Sequence, residues 1–248
     1  MSAFWWPVLA LVSRELRRFW RQKSRVAGFV GSPLVFWLLI GSGFGNLGFF
    51  FPGALTLTVM FSAVFSMMSL IEDRREGFLL SVLVSPAPRS ALVLGKILGS
   101  SLLAWIQGLL FLCFLPLTDA GLTLGRLPAV GAFLFAVAFT FTAMGFLIAW
   151  RMDSTQGFHA VMNLVLFPMW LVSGALFSAS SAHGWMRWLM HVNPLTYSVA
   201  ALRRLLELSP EAATPALGTS VALTAACGLA LWAAATLEAH RKPRSVLT

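Results

Sequence analysis

Six apolar stretches, each long enough to cross a bilayer at about 1.5 Å of helix rise per residue, leave this chain very few folds to choose from. They run from Val26 to Phe44, Phe51 to Ile71, Ala91 to Leu115, Pro128 to Trp150, Phe158 to Phe177 and Ala216 to Leu237. No water reaches the hydrocarbon layer to satisfy backbone N–H and C=O groups, so each stretch must be a helix. The expectation is an all-α, polytopic membrane protein with six transmembrane helices, folded as one domain over residues 1–248. Charged residues make up only 11% of the chain, against about 25% in soluble proteins, and they gather between the apolar stretches.

That placement also decides what the net charge of +9 means. The basic residues flank spans and share no solvated face, so they report topology, and a nucleic-acid partner is not expected. With a cytoplasmic amino terminus, all but four of the 18 Lys and Arg (Arg126, Arg187, Arg203 and Arg204) fall on the cytoplasmic side. Both termini are therefore expected in the cytoplasm and the protein in the cytoplasmic (inner) membrane. Cys113 and Cys227 both fall inside spans and give no disulfide framework.

Residues 1–25 carry their apolar part before their basic part, which is the wrong order for a cleaved signal. At about 100° per residue, Trp5, Val8, Leu9, Val12, Leu16, Phe19 and Trp20 share one face of a helix, while Arg14, Arg17, Arg18, Arg21 and Arg25 share the other. This is the pattern of an interfacial helix with membrane lipid as its partner. A topology anchor and a contact to a protein partner are both open for the arginines.

Between the second and third spans lies a charged break over residues 72–89, with a short apolar run from Gly77 to Pro86. The run is too short to span and too apolar for a solvated turn. Glu76 and Gly77 punctuate its start and Pro86 and Pro88 its end, leaving about three turns of helix. Apolar surface displayed near water in this way implies a partner.

The sequence R-E-G-F-L-L-S-V-L-V-S-P-A-P-R, followed by Leu94-Gly95-Lys96, resembles the segment between the second and third spans of type-2 ABC transporter permeases. These are the membrane subunits of drug, polysaccharide and lipid-linked glycan exporters. The resemblance implies a coupling helix that docks on a separate ATPase subunit, with Glu76, Gly77, Phe78, Leu79, Val82, Leu83, Ser85, Pro86 and Arg89 as the contact residues. Leu80 stands where an acidic residue is common, so a salt bridge there would be missing. The resemblance also implies a second permease copy, as a homodimer or with a paralogue, and re-entrant helices over residues 178–215. In that segment N-P-L-T-Y (Asn193 to Tyr197) matches, whereas Ser178 replaces a common proline. From spacing alone, Trp185, Trp188, Leu189 and Val192 form one apolar stripe and Leu195, Val199, Leu202 and Leu206 a second, with Asn193 and Pro194 opening the second helix.

Polar groups inside spans are the only other candidates for a site. Thr140, Asn163, Ser173 and Tyr197 are candidate pathway residues, although packing or bonding back to their own helix explains them as well. The chain has no G-x-x-x-x-G-K-[ST], no H-E-x-x-H and no G-x-S-x-G, and its four histidines lack metal-ligand spacing. No catalytic residue, metal or cofactor is expected, ATP being bound by the partner subunit. The expected function is export of an amphiphile (a drug, lipid or lipid-linked glycan) by a chain that is not itself an enzyme. The alternative is an ATP-independent secondary transporter or channel, for which the span interiors offer almost no ionisable groups, Lys96 being expected to snorkel to the interface.

Overall fold

The computed structural model describes residues 2–20, 23–118, 124–179, 181–208 and 215–241, and among them there is no strand. The helices are α1 (Ser2–Trp20), α2 (Lys23–Gly43), α3 (Leu47–Ser66), α4 (Met68–Arg75), α5 (Phe78–Val84), α6 (Arg89–Leu112), α7 (Leu127–Trp150), α8 (Thr155–Leu171), α9 (Gly184–Val192), α10 (Pro194–Leu205) and α11 (Leu217–His240). Arg21 and the tail beyond Arg241 lie outside the described residues.

Of the six expected spans, four are long and apolar enough to cross a membrane: Leu47–Arg75, Arg89–Leu117, Leu127–Trp150 and Leu217–His240. Of the other two, α2 runs 21 residues, from Lys23 to Gly43, close to the expected bounds, and α8 is shorter than its sequence suggested. In α2 the described apolar part is Val30–Gly43. Helix α8 has 17 residues, about 26 Å, and stops at Leu171 where the sequence pattern ran on to Phe177. Pro168 sits in its last turn, and Gly174, at φ 81°, reverses the chain soon after.

Helix α3 is the central post. It packs against α2, α6, α7, α8 and α10, and its apolar window is 83% buried, whereas that of α11 at the edge is 22% buried. Continuous burial explains why α3 is apolar on every side. Trp37 of α2 wedges against Phe51 of α3 and Phe111 of α6, with ring centroids 5.2 and 6.0 Å away, and its indole N–H donates to the Leu47 carbonyl at 2.9 Å. Asn46 caps α3 by accepting from the Phe49 N–H at 2.9 Å. On α7, Thr140 Oγ1 donates across to the Thr224 carbonyl of α11 at 3.1 Å, and the absent side chain of Gly228 makes room for it.

The segment between α8 and α11 forms two short helices, as its stripes predicted. Asn193 accepts from the Leu195 N–H at 3.0 Å and donates to the Met169 carbonyl at 2.6 Å, tying the start of α10 to the end of α8. On α9, Trp185, Trp188 and Val192 are all exposed.

Candidate functional site

Helix α4 continues α3 with almost no break, and the 29-residue rod they make is about 43 Å long, against about 30 Å of hydrocarbon. Its last turns therefore emerge at one end of the bundle. There Glu76 and Gly77 stop the helix: the Glu76 N–H donates to the Glu72 carbonyl, the Gly77 N–H to the Arg74 carbonyl, and Gly77 takes φ 74°. That left-handed turn is what re-aims the chain into α5. Ser85, extended ahead of Pro86, then ends α5. Gly77→Val should cost about 1–2 kcal/mol of stability, and Gly77→Asn less. Thermal unfolding of both variants in detergent checks the order.

The break folds as a helix of seven residues, about two turns where about three were expected. Phe78, Leu79 and Val82 turn inward over a small gap closed by Leu11, Leu70, Val93 and Trp150. Glu76, Ser81, Val84 and Pro86 are exposed, Val84 at 85%. The Ser85 hydroxyl is spent on the Val82 carbonyl, and the Leu83 side chain lies outside the described part. Arg89 also points inward: its guanidinium donates to the Ala239 and His240 carbonyls at 3.1 and 3.3 Å, at the carboxyl end of α11. Arg74 does the same for α7, donating to the Trp150 and Met152 carbonyls at 2.6 and 3.2 Å and pairing with Asp153. Each cation thus meets unsatisfied carbonyls at the negative end of a helix dipole. Arg151 and Glu238 join the two helix ends at 3.2 Å.

Next to α5 lies a charge network with no counterpart in the sequence expectations. Glu15 of α1, Asp73 of α4 and Lys96 of α6 are 3%, 2% and 4% exposed. The Lys96 ammonium donates to Glu15 at 2.7 Å and to Asp73 at 2.5 Å, so it does not snorkel. Arg14 grips Asp73 with two N–H donors at 3.0 and 2.7 Å, Arg18 pairs with Asp73 and Glu72, and Ser69 donates to Glu15. Three acids therefore face three bases. Hydrogen bonding to the Asp73 carboxylate raises the Arg14 pKa above the ordinary arginine value.

Two glycines let this network close. A Cβ on Gly95 would lie 3.1 Å from the Val8 Cα, and one on Gly99 3.0 Å from the Glu15 Cβ, so α1 rides directly on the backbone of α6. It docks through Val8, Leu11 and Glu15 at the edge of its apolar arc, which leaves Trp5, Trp6 and Leu9 exposed. Arg17 points away from the bundle and donates to Ser13. The spacing Gly95-x-x-x-Gly99 and the lone Glu15 beside an arginine face were the available signals.

Of the four candidate pathway residues, Ser173 and Tyr197 line one cavity, whereas Thr140 and Asn163 do not line it. Thr140 bridges α7 and α11, and Ser173 donates to the Trp170 carbonyl and is buried. Asn163 is exposed on α8. Tyr197 donates to the His191 carbonyl and lines a cavity of about 450 Å³ at the opposite end of the bundle, beside Arg187 and Arg203. An apolar pocket of about 550 Å³ opens between α2, α3 and α8, lined by Pro33, Phe36, Leu57, Phe61, Phe167 and Trp170. Among the described residues no three His, Cys, Asp or Glu side chains are grouped to hold a metal.

Residues 7–206 match the sequence model of a family described as ABC-2 type transporter. The chain is 27% identical over 216 residues to the putative transport permease ycf38 of Cyanophora paradoxa, covering 79% of this chain and 72% of the relative. It is 26% identical over 218 residues to the daunorubicin resistance ABC transporter permease protein DrrB1 of Streptomyces coeruleorubidus, covering 79% and 75%. The ycf38 permease of Pyropia yezoensis is 25% identical over 221 residues, covering 80% and 73%.

Proposed function

Because this chain belongs to the ABC-2 type transporter family, we propose that it is the membrane subunit of an ATP-driven exporter that borrows its energy from a separate ATPase. Permeases of this family normally work with such a subunit. The observation that carries the reading is α5, a short helix turned by Gly77 across one end of the bundle, flanked by Arg74 of α4 and Arg89 of α6, which cap α7 and α11, with Val84 displayed outward. Glu76, Ser81, Val84 and Pro86 form the docking surface. Phe78, Leu79 and Val82 form the side that passes movement inward. This divides the residues that the sequence had grouped as a single contact set.

In this reading α2 and α8 complete six spans, both termini are cytoplasmic, and α1 lies along the cytoplasmic surface with Trp5, Trp6 and Leu9 in lipid and Arg17 toward headgroups. A second copy meets the exposed apolar face of α8, where Val161, Leu164 and Val165 stand beside the pocket against α2 and α3. Walls of this kind suit an amphiphilic cargo such as a drug, lipid or lipid-linked glycan, in keeping with one relative being named for resistance to a drug. A single cysteine at Glu76, in a chain lacking Cys113 and Cys227, should react with an impermeant maleimide in inside-out vesicles and not in intact cells. A tagged chain should bring down an ATPase from its own host. Labelling from outside, or cargo movement in ATP-free vesicles, would overturn the proposal.

A further inference from the structure

We propose that Arg14 is the positioning residue through which displacement of α5 reaches the transmembrane helices. This rests on the reading of α5 as the docking element for an ATPase. The guanidinium of Arg14 carries two loads at once. Its edge makes the two-pronged bond to Asp73 of α4, and its face lies 3.8 Å from the centroid of the Phe78 ring of α5. Arg14 is the member of the charge network that touches α5 in this way, so the ring and the carboxylate are joined through one planar group.

From Asp73 the connection continues. Asp73 shares Lys96 of α6 with Glu15, and Glu15 is the next residue to Arg14 on α1. The circuit α1, α4, α6 and back to α1 is closed by buried charges, and it sits where Gly95 and Gly99 bring the α1 and α6 backbones together. A closed circuit of this kind resists deformation, so a push on Phe78 moves the three helices as a unit. The backbone link between α4 and α5 is a single turn at Gly77 with no packing to brace it, since a Cβ placed there would meet nothing within 4 Å. Force on α5 is therefore poorly transmitted along the chain and needs a side-chain route. Only arginine supplies both a fork for a carboxylate and a flat cationic face for an aromatic ring. A lysine keeps the charge and loses both.

The test uses the full chain in nanodiscs with the ATPase that co-purifies with it, carrying one cysteine at Leu164 on the exposed face of α8 in place of Cys113 and Cys227. Maleimide labelling at that position is timed with and without ATP and vanadate. For the wild-type background a nucleotide-dependent change in labelling rate is expected. Arg14→Lys should leave ATPase association and ATP affinity unchanged and reduce that change at least fivefold. Phe78→Leu should do the same through loss of the ring alone, while Phe78→Tyr should retain it. A full response in Arg14→Lys and Phe78→Leu overturns the proposal, as does loss of the complex in Arg14→Lys, which would make the residue part of the docking surface. Failure of the wild-type chain to bind any ATPase would instead refute the reading of α5, and this inference with it.

Discussion

Replacing Lys96 with Met should destabilise the chain by about 3–5 kcal/mol, the usual cost of removing one partner from a buried ion pair. The cost is high because Lys96 serves two carboxylates, Glu15 and Asp73, each no more than 3% exposed. Without it, Asp73 still has Arg14 and Arg18, but Glu15 keeps only the Ser69 hydroxyl and an Arg14 N–H at 3.3 Å. Uncompensated charge therefore settles on Glu15. Glu15→Gln combined with Lys96→Met removes one charge of each sign and should recover most of the loss, since Asp73 keeps its two arginines. Unfolding of the wild type and both variants in mixed micelles measures the effect. Equal losses in the single and double variants would show that Lys96 matters for packing and not for charge balance.

The second large effect is expected at the outer face of α5. Val84→Asp places a charge on a side chain that is 85% exposed, so the permease itself should fold and insert normally, while recovery of the ATPase in a pull-down should fall at least tenfold. The resemblance placed Leu79 and Leu83 among the contact residues. Leu79 packs on the core, so an aspartate there would disturb the permease first and could not isolate docking. Leu117→Asp, which adds the same charge to a side chain exposed beyond the far end of α6 and away from α5, is the control that should retain the complex.

What could be read from the sequence followed from one-dimensional patterns. Hydropathy located the helices, with α7 and α11 starting and ending within a few residues of the expected bounds. Asn193-Pro194 correctly opened α10, and the run between Gly77 and Pro86 correctly became α5. Periodicity could also say which residues share a side of α5, but not which side meets the bundle. That depends on Arg74 and Arg89 reaching helix ends that are distant in sequence. The charge network escaped for the same reason. Lys96 near the start of a span looks like a snorkelling cation until Glu15, 81 positions away, is brought to it by an interface that the absent side chains of Gly95 and Gly99 allow. For Thr140 and Ser173 the sequence could not name the partner, since a hydroxyl in an apolar helix looks the same whether it bonds a neighbouring helix, as Thr140 does, or its own turn beside a cavity, as Ser173 does.

The caps that Arg74 and Arg89 place on α7 and α11 impose an order on biosynthesis. Their acceptors lie 76 and 150 positions downstream, so both arginines leave the ribosome long before the carbonyls they will meet have been made. Until the final helix has been made, Arg89 has no carbonyl to meet, so the bond that ties the start of α6 to the end of α11 is among the last to form.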